Sequence, residues 1–216
     1  MFSIIILDFD GVILESVSVK TEAFRTLFSF APEYVEEIVQ FHKDNGGMSR
    51  FDKFRYIFDH ILKSELDPDT FTALSKKFST LVFQSVINAP FVPGAREFLE
   101  HWSAKIPLYI VSATPEPELK EIVQKRNLTL FFRNVYGAPR KKAECISEIY
   151  TTSGMPASDI LFVGDALNDL AAARSAGVKF VGRVAAGEIN IFRNCHGVER
   201  VIKDLNELSE FLEVSV

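Results

Sequence analysis

Ile4-Ile5-Ile6-Leu7-Asp8-Phe9-Asp10-Gly11-Val12 places four consecutive aliphatic residues directly ahead of two carboxylates one residue apart. An apolar run without alternation reads as a strand covered on both faces, as in a parallel sheet. Carboxylates at the end of such a strand fall in the crevice at the sheet's C-terminal edge, where open α/β sheets bind ligands. A second stretch repeats the arrangement, with Ile160-Leu161-Phe162-Val163 running into Gly164-Asp165-Ala166-Leu167-Asn168-Asp169. Two strands delivering acids to one edge predict a site for a hard cation with chemistry beside it. Two plainer readings compete: Asp10-Gly11 as a hairpin turn, and Asp165 as the cap of a helix beginning near Asn168. The missing alternation before Asp8 argues against the hairpin.

The 216 residues suit one substantial domain or one core with an insertion. A domain of this size buries about 70% of the surface its unfolded chain exposes, so it needs no disulfide. A hydrophobic content of 47%, with 20 Phe, supplies ample core. The net charge of −5 argues against a nucleic-acid-binding surface. It leaves room for an anionic small molecule, because a metal ion and nearby lysines dominate the field at one site. Cys145 and Cys195 stand alone, without metal-ligand or disulfide spacing, which predicts a reducing, cytoplasmic setting. His42, His60, His101 and His196 form no metal motif. No signal-peptide pattern and no membrane-length apolar stretch is visible, so no membrane partner is expected.

From Glu15 to Asn88 the pattern is helical. Phe51, Phe54 and Phe58, then Phe71, Leu74, Phe78 and Leu81, fall at helical spacing. Asp67-Pro68-Asp69 marks a helix start. Pro90-Phe91-Val92-Pro93-Gly94 closes this region, and strands then alternate with helices. Strands are expected at Leu108–Val111, Val135–Tyr136, Ile160–Val163 and Val178–Val181. Helices are expected at Glu116–Arg126, Lys141–Thr152, Asn168–Ala176 and Leu205–Leu212. The fold class read from this alternation is α/β, a parallel sheet with helices on both faces and a helical insertion after the first strand.

In this order the residues resemble the four motifs of the haloacid dehalogenase (HAD) superfamily of phosphatases. Asp8-Phe9-Asp10-Gly11-Val12 matches the first motif, and Ser112 in Tyr109-Ile110-Val111-Ser112-Ala113-Thr114 the second. Lys142, with Lys141 as the neighbouring alternative, matches the third, and Gly164-Asp165-Ala166-Leu167-Asn168-Asp169 the fourth. The resemblance implies a Rossmann-like core, residues 1–14 and 89–216, with an inserted α-helical cap over 15–88. It implies Asp8 as nucleophile and Asp10 as general acid and base. It implies Mg²⁺ held by Asp8, the Asp10 carbonyl and Asp165, with Asp169 orienting a metal-bound water or Lys142. Ser112, Ala113 and Lys142 would hold phosphoryl oxygens. Taken alone, Ser112 also reads as a turn residue ahead of Pro115, and Lys141 and Lys142 as solvated.

The insertion resembles the cap of the phosphoglycolate phosphatase and β-phosphoglucomutase branch. Gly46-Gly47-Met48-Ser49-Arg50 matches its loop, where Arg50 either grips a second anionic group or stands exposed. The mutases carry a histidine where this chain has Lys20, and a lysine where it has Gly46. Lys20 is then either a substrate contact or a solvated helix lysine. Asp10 separates the chain from true haloacid dehalogenases, which lack that aspartate and need no metal. The expectation is a Mg²⁺-dependent phosphomonoesterase acting on a small phosphorylated metabolite, as a monomer or homodimer. A phosphosugar mutase is the first alternative and an idle ligand-binding fold the second.

Overall fold

Strand β1, Ile4–Leu7, is buried at all four positions. A computed structural model describes residues 2–214. Within β1, Ile5 and Leu7 join one apolar layer while Ile4 and Ile6 join the other. Because both faces are covered, the strand has no polar position. The other strands are β2 (Leu108–Pro115), β3 (Asn134–Ala138), β4 (Ile160–Gly164), β5 (Lys179–Arg183) and β6 (Arg200–Ile202). They form one sheet in the order β3-β2-β1-β4-β5-β6, and every pairing is parallel. The chain runs outward from β1 through β2 to β3, then returns to β4 on the other side. The C-terminal end of β1 therefore lies at the switch point, where a crevice opens between the diverging connections.

The insertion precedes β2 and contains α1 (Val17–Leu27), α2 (Val35–Asp44), α3 (Arg50–Tyr56) and α4 (Pro68–Asn88). α3 runs on as a π-helical turn over Ile57–Leu62. Phe24, Phe28, Phe54 and Phe78 pack together, with the Phe24 ring centroid 4.9 Å from that of Phe78 and 5.8 Å from that of Phe54. Asp67 caps α4, its carboxylate accepting from the amides of Asp69 and Thr70 at 2.9 Å each. The chain enters and leaves this region side by side. Leu14 bridges Phe91, and the Glu15 amide donates to the Pro90 carbonyl at 2.9 Å.

α5 (Ala95–Trp102), α6 (Glu116–Lys125) and α9 (Leu205–Val214) cover one face of the sheet through Phe98, Leu99, Leu119, Ile122 and Leu208. α7 (Lys142–Ser153) and α8 (Leu167–Ala176) cover the other through Cys145, Ile146, Ile149 and Leu170. α5 and β6 were not expected from the sequence. The three residues of β6 are too few to display a period. β2 runs four residues beyond the expected Val111, with a register irregularity between Val111 and Pro115. Ser112 is thus a strand residue, not a turn residue. Neither cysteine is in a disulfide. No helix among the described residues is long and apolar enough to cross a membrane.

Candidate active site

Asp8 leaves β1 buried, with Oδ1 accepting from the Phe9 amide at 2.6 Å. Its Oδ2 lies 2.5 Å from Nζ of Lys142, the first residue of α7, and the same ammonium donates to Asp169 Oδ1 at 2.6 Å. Burial alone would discharge Lys142, but Asp169 and Asp8 outweigh it and raise the lysine well above its ordinary pKa. Burial lifts the Asp8 carboxyl to about 6, with Asp169 and Asp10 adding to the rise and Lys142 opposing it. Asp169 fits only because residue 164 is glycine, since a Cβ there would collide with the Asp169 side chain. The other Asp169 oxygen accepts from the Ala166 amide at 3.1 Å. Lys141 is exposed, so Lys142 is the lysine beside Asp8.

Asp10 carries its own set of donors. Oδ1 accepts from Ser16 Oγ at 2.6 Å, and Oδ2 from Thr114 Oγ1 at 2.9 Å. Lys20 forms an ion pair with Asp10 and donates to Thr114 Oγ1 at 2.8 Å. Burial would raise Asp10, yet Lys20, Ser16 and Thr114 prevail and hold it below the usual carboxylate range. Lys20 is therefore not solvated: the first turn of α1 turns it toward the site, and its side chain is only 16% exposed. Ser16 and Thr114 escaped the sequence reading. Thr114 stands two residues after Ser112, the strand period, so that pairing was available as a signal. Ser112 is buried, and its Oγ accepts from the Thr114 amide at 3.2 Å.

Asp165 differs from the other acids. Among the described residues its carboxylate has no hydrogen bond or ion pair, and Ala166, not Asp165, caps α8. Burial, then the charges of Asp8 and Asp169, push its carboxyl well above the ordinary value. Gly11 makes room for it: φ is +74°, and a Cβ there would overlap Asp165 Oδ2. Arg183, at the end of β5, donates to the Gly11 carbonyl at 3.1 Å and pairs with Glu15 at 2.5 Å, bracing that turn. Carboxylate oxygens of Asp8, Asp165 and Asp169 lie within 4.8 Å of one another. Three carboxyl groups share one ammonium at the strand edge, so acidic oxygens there outnumber the cations that face them. Hard oxygen donors in such excess suit a divalent cation such as Mg²⁺. Asp165 is the one of the three whose oxygens have no hydrogen-bond partner among the described residues, so it is the most open to a cation; Asp8 and Asp169 each already accept on both oxygens.

The helical insertion covers this edge. Gly47, at φ +74°, bends the loop before α3, and Asn168 Nδ2 donates to the Gly46 carbonyl at 2.8 Å. Beneath lies a cavity of about 100 Å³ lined by Asp8, Asp10, Asp165, Ser112, Ala113 and Thr114 below, and by residues of the insertion above. Arg50 lines it but is neither exposed nor free to grip an anion. Its guanidinium is buried, paired with both Glu118 oxygens at 2.6 and 3.0 Å, hydrogen-bonded to Ser79 at 2.7 Å, and set 4.5 Å above the Phe78 ring. Glu118, in the first turn of α6, takes the fork that the sequence assigned to a ligand, and ties the insertion to the sheet domain.

One turn beyond Arg50, Lys53 also lines the cavity and is buried. Its Nζ donates to the His42 carbonyl at 2.9 Å and sits 3.0 Å from His42 Nδ1. Burial, reinforced by Lys20, lowers Lys53 to about 7. Burial and Lys53 lower His42 to about 2, so the imidazole is neutral. No sequence signal links these two residues, which lie on different helices.

The family model for haloacid dehalogenase-like hydrolases matches residues 2–177. A phosphoglycolate phosphatase from Pseudomonas savastanoi pv. phaseolicola is 26% identical over 185 residues, covering 82% of this chain and 68% of that protein. The match to a phosphoglycolate phosphatase from Pseudomonas fluorescens is 33% identical over 97 residues, 42% of this chain and about a third (35%) of that protein's length. Among solved structures, a hydrolase from Pseudomonas syringae superposes with a TM-score of 0.78 at 21% identity, covering 96% of this chain and 98% of that one.

Proposed function

Because the chain belongs to the haloacid dehalogenase-like hydrolases, we propose that it is a Mg²⁺-dependent phosphomonoester hydrolase acting on a small phosphorylated metabolite. The observation that carries this reading is the Asp8–Lys142–Asp169 chain beside the unpaired Asp165 carboxylate, all at the edge where β1 ends. The relatives named phosphoglycolate phosphatase support the same chemistry.

In this mechanism an Asp8 oxygen attacks phosphorus, and the bond from phosphorus to the ester oxygen breaks. The departing oxygen takes a proton held by the Asp10–Lys20 pair. Asp10 then takes a proton from a water that attacks the aspartyl-phosphate, which releases phosphate and restores the Asp8 carboxylate. Lys142 and the Ser112 region bind the phosphoryl oxygens, so that charge developing in transfer meets donors already in place. Asp8, the Asp10 carbonyl and Asp165 would hold the cation, which supplies charge neutralisation between an anionic nucleophile and an anionic ester. Asp169 positions Lys142. Residues 15–88 act as the cap that excludes water during transfer, swinging about the paired Leu14 and Phe91 segments.

The test is inorganic phosphate release from a panel of phosphorylated metabolites, with Mg²⁺ and with chelator. Release that depends on Mg²⁺ and vanishes in Asp8→Asn, while that variant keeps its unfolding temperature, is the expected result. Release unaffected by chelator, or retained in Asp8→Asn, contradicts the mechanism.

A further inference from the structure

We propose that Glu118 is a specificity-determining residue: it occupies the Arg50 guanidinium in the place of a second phosphate group, and so turns away esters that carry one. This rests on the phosphatase reading above and adds to it a selection among substrates, for esters with a single phosphate group.

Among the described residues that line the cavity, Arg50 is the single guanidinium. Its planar fork matches a phosphate or a carboxylate two bonds at a time. Glu118 does not line the cavity. It comes from the first turn of α6, just past the end of β2 that carries Ser112 and Thr114. The anion that answers Arg50 thus belongs to the sheet domain, the side on which a phosphate ester is held. The other cations on the cavity do not replace Arg50. Lys20 pairs with Asp10, Lys53 is bonded to His42 and lowered to about 7, and Lys43 is exposed. Each is a lysine, without the fork.

Glu118 is held as firmly as it holds. Its Oε1 accepts from Arg50 Nη2 at 2.6 Å, and its Oε2 from Arg50 Nη1 at 3.0 Å and from Ser79 Oγ at 2.6 Å. Arg50 Nη1 also donates to Ser79 Oγ at 2.7 Å, which closes a ring of three side chains from α3, α4 and α6. The Arg50 and Glu118 side chains are only 4% and 10% exposed. A ligand anion that took Arg50 would strand Glu118, and stranding one member of a buried pair costs about a hundredfold or more in an equilibrium constant. A second phosphate brought to the fork also meets a carboxylate of its own sign. Unpaired and like charges set against a competitor are how a site rejects it.

Competition against p-nitrophenyl phosphate with Mg²⁺ tests this, or against the best ester of the metabolite panel if that one is not turned over. The competitors are α,ω-alkanediphosphonates from ethane to hexane, each compared with the alkylphosphonate of the same length. Neither kind has an ester oxygen to cleave, and the members of a pair differ only in the second anionic group. In the wild type that group should improve the inhibition constant by no more than about fivefold at any length, the scale of an exposed ion pair. In Glu118→Gln, assayed well below its unfolding temperature, the improvement should be at least about tenfold greater at some length, as fits a charge-assisted bidentate contact. Glu118→Asp draws the carboxylate back from the fork; it should change in the same direction, and serves if the glutamine variant does not fold. Adding Arg50→Met to Glu118→Gln should abolish the gain. Glu116→Gln, which removes another acid from the same turn, should leave the wild-type figure within about twofold. A large gain already present in the wild type, no gain in the Glu118 variants, or a gain that survives the loss of Arg50 overturns the proposal and leaves the phosphatase reading intact. If no ester of the panel releases phosphate, the phosphatase reading fails and the proposal falls with it.

Discussion

Replacing Lys53 with methionine should make the protein more stable near neutral pH, and the gain should disappear as pH rises. Burial and the charge of Lys20 lower Lys53 from 10.5 to about 7, with Asp165 opposing and Lys142 adding to the fall. Above pH 10.5 the lysine is neutral folded and unfolded, and nothing is lost. Between 10.5 and 7 the unfolded chain binds a proton that the folded chain does not, so stability falls as pH falls; below 7 the loss levels off. At 1.36 kcal/mol per tenfold, the loss is of order 4 kcal/mol at pH 7 and of order 2 kcal/mol at pH 9. Methionine avoids it, but leaves the His42 carbonyl without this donor, at about 1–3 kcal/mol. The variant should therefore be about 2 kcal/mol more stable at pH 7, or roughly 4–8 °C in unfolding temperature, and near equality at pH 9. Urea unfolding of both proteins at pH 7, 8 and 9 without added anions measures the difference directly. A variant less stable than wild type at pH 7, or a gap that does not change with pH, refutes the reasoning. A stabilising substitution at a cavity wall would also show that the native charge is kept at the expense of stability.

Glu118→Gln breaks the pair that ties α3 to α6 and strands the buried Arg50, which should lower the unfolding temperature by roughly 10 °C. Glu118→Gln combined with Arg50→Met should recover part of that loss; calorimetry showing additive losses would mean that the two side chains do not act as a pair. Gly11→Ala forces a Cβ at φ +74° into Asp165 Oδ2. The Mg²⁺ concentration needed for half-maximal phosphate release should rise about tenfold, and an unchanged requirement would remove Asp165 from the cation site.

The sheet and its acid-bearing edge were legible because β1 and β4 are buried on both faces, leaving unbroken aliphatic runs that end where the chain must turn. The insertion was legible from the phenylalanine spacing and the Asp67 cap, both local in sequence. What could not be read are contacts that folding alone creates. Arg50 meets Glu118 across 68 positions, and Asp10 meets Thr114 across 104. Lys53 meets His42 across 11, with a turn between their helices. Arg50 read as a ligand contact because its fork suits anions; the competing carboxylate lay on α6, out of reach of any local pattern. Lys20 read as either a substrate contact or a solvated lysine because nothing in α1 shows that its first turn faces Asp10, with which it pairs. The lysine beside Asp8 was narrowed to two adjacent residues, and only the start of α7 distinguishes them: Lys142 turns inward and Lys141 outward.

The central claim is that phosphorus passes through Asp8 on its way to water. The most direct test is the stereochemical course of hydrolysis, using an ester made chiral at phosphorus with oxygen isotopes and turned over in isotopically labelled water. Two successive in-line displacements, the first by Asp8 and the second by water, give net retention of configuration, which is the expected result. Net inversion would mean that water attacks the ester directly, and would contradict the role given to Asp8.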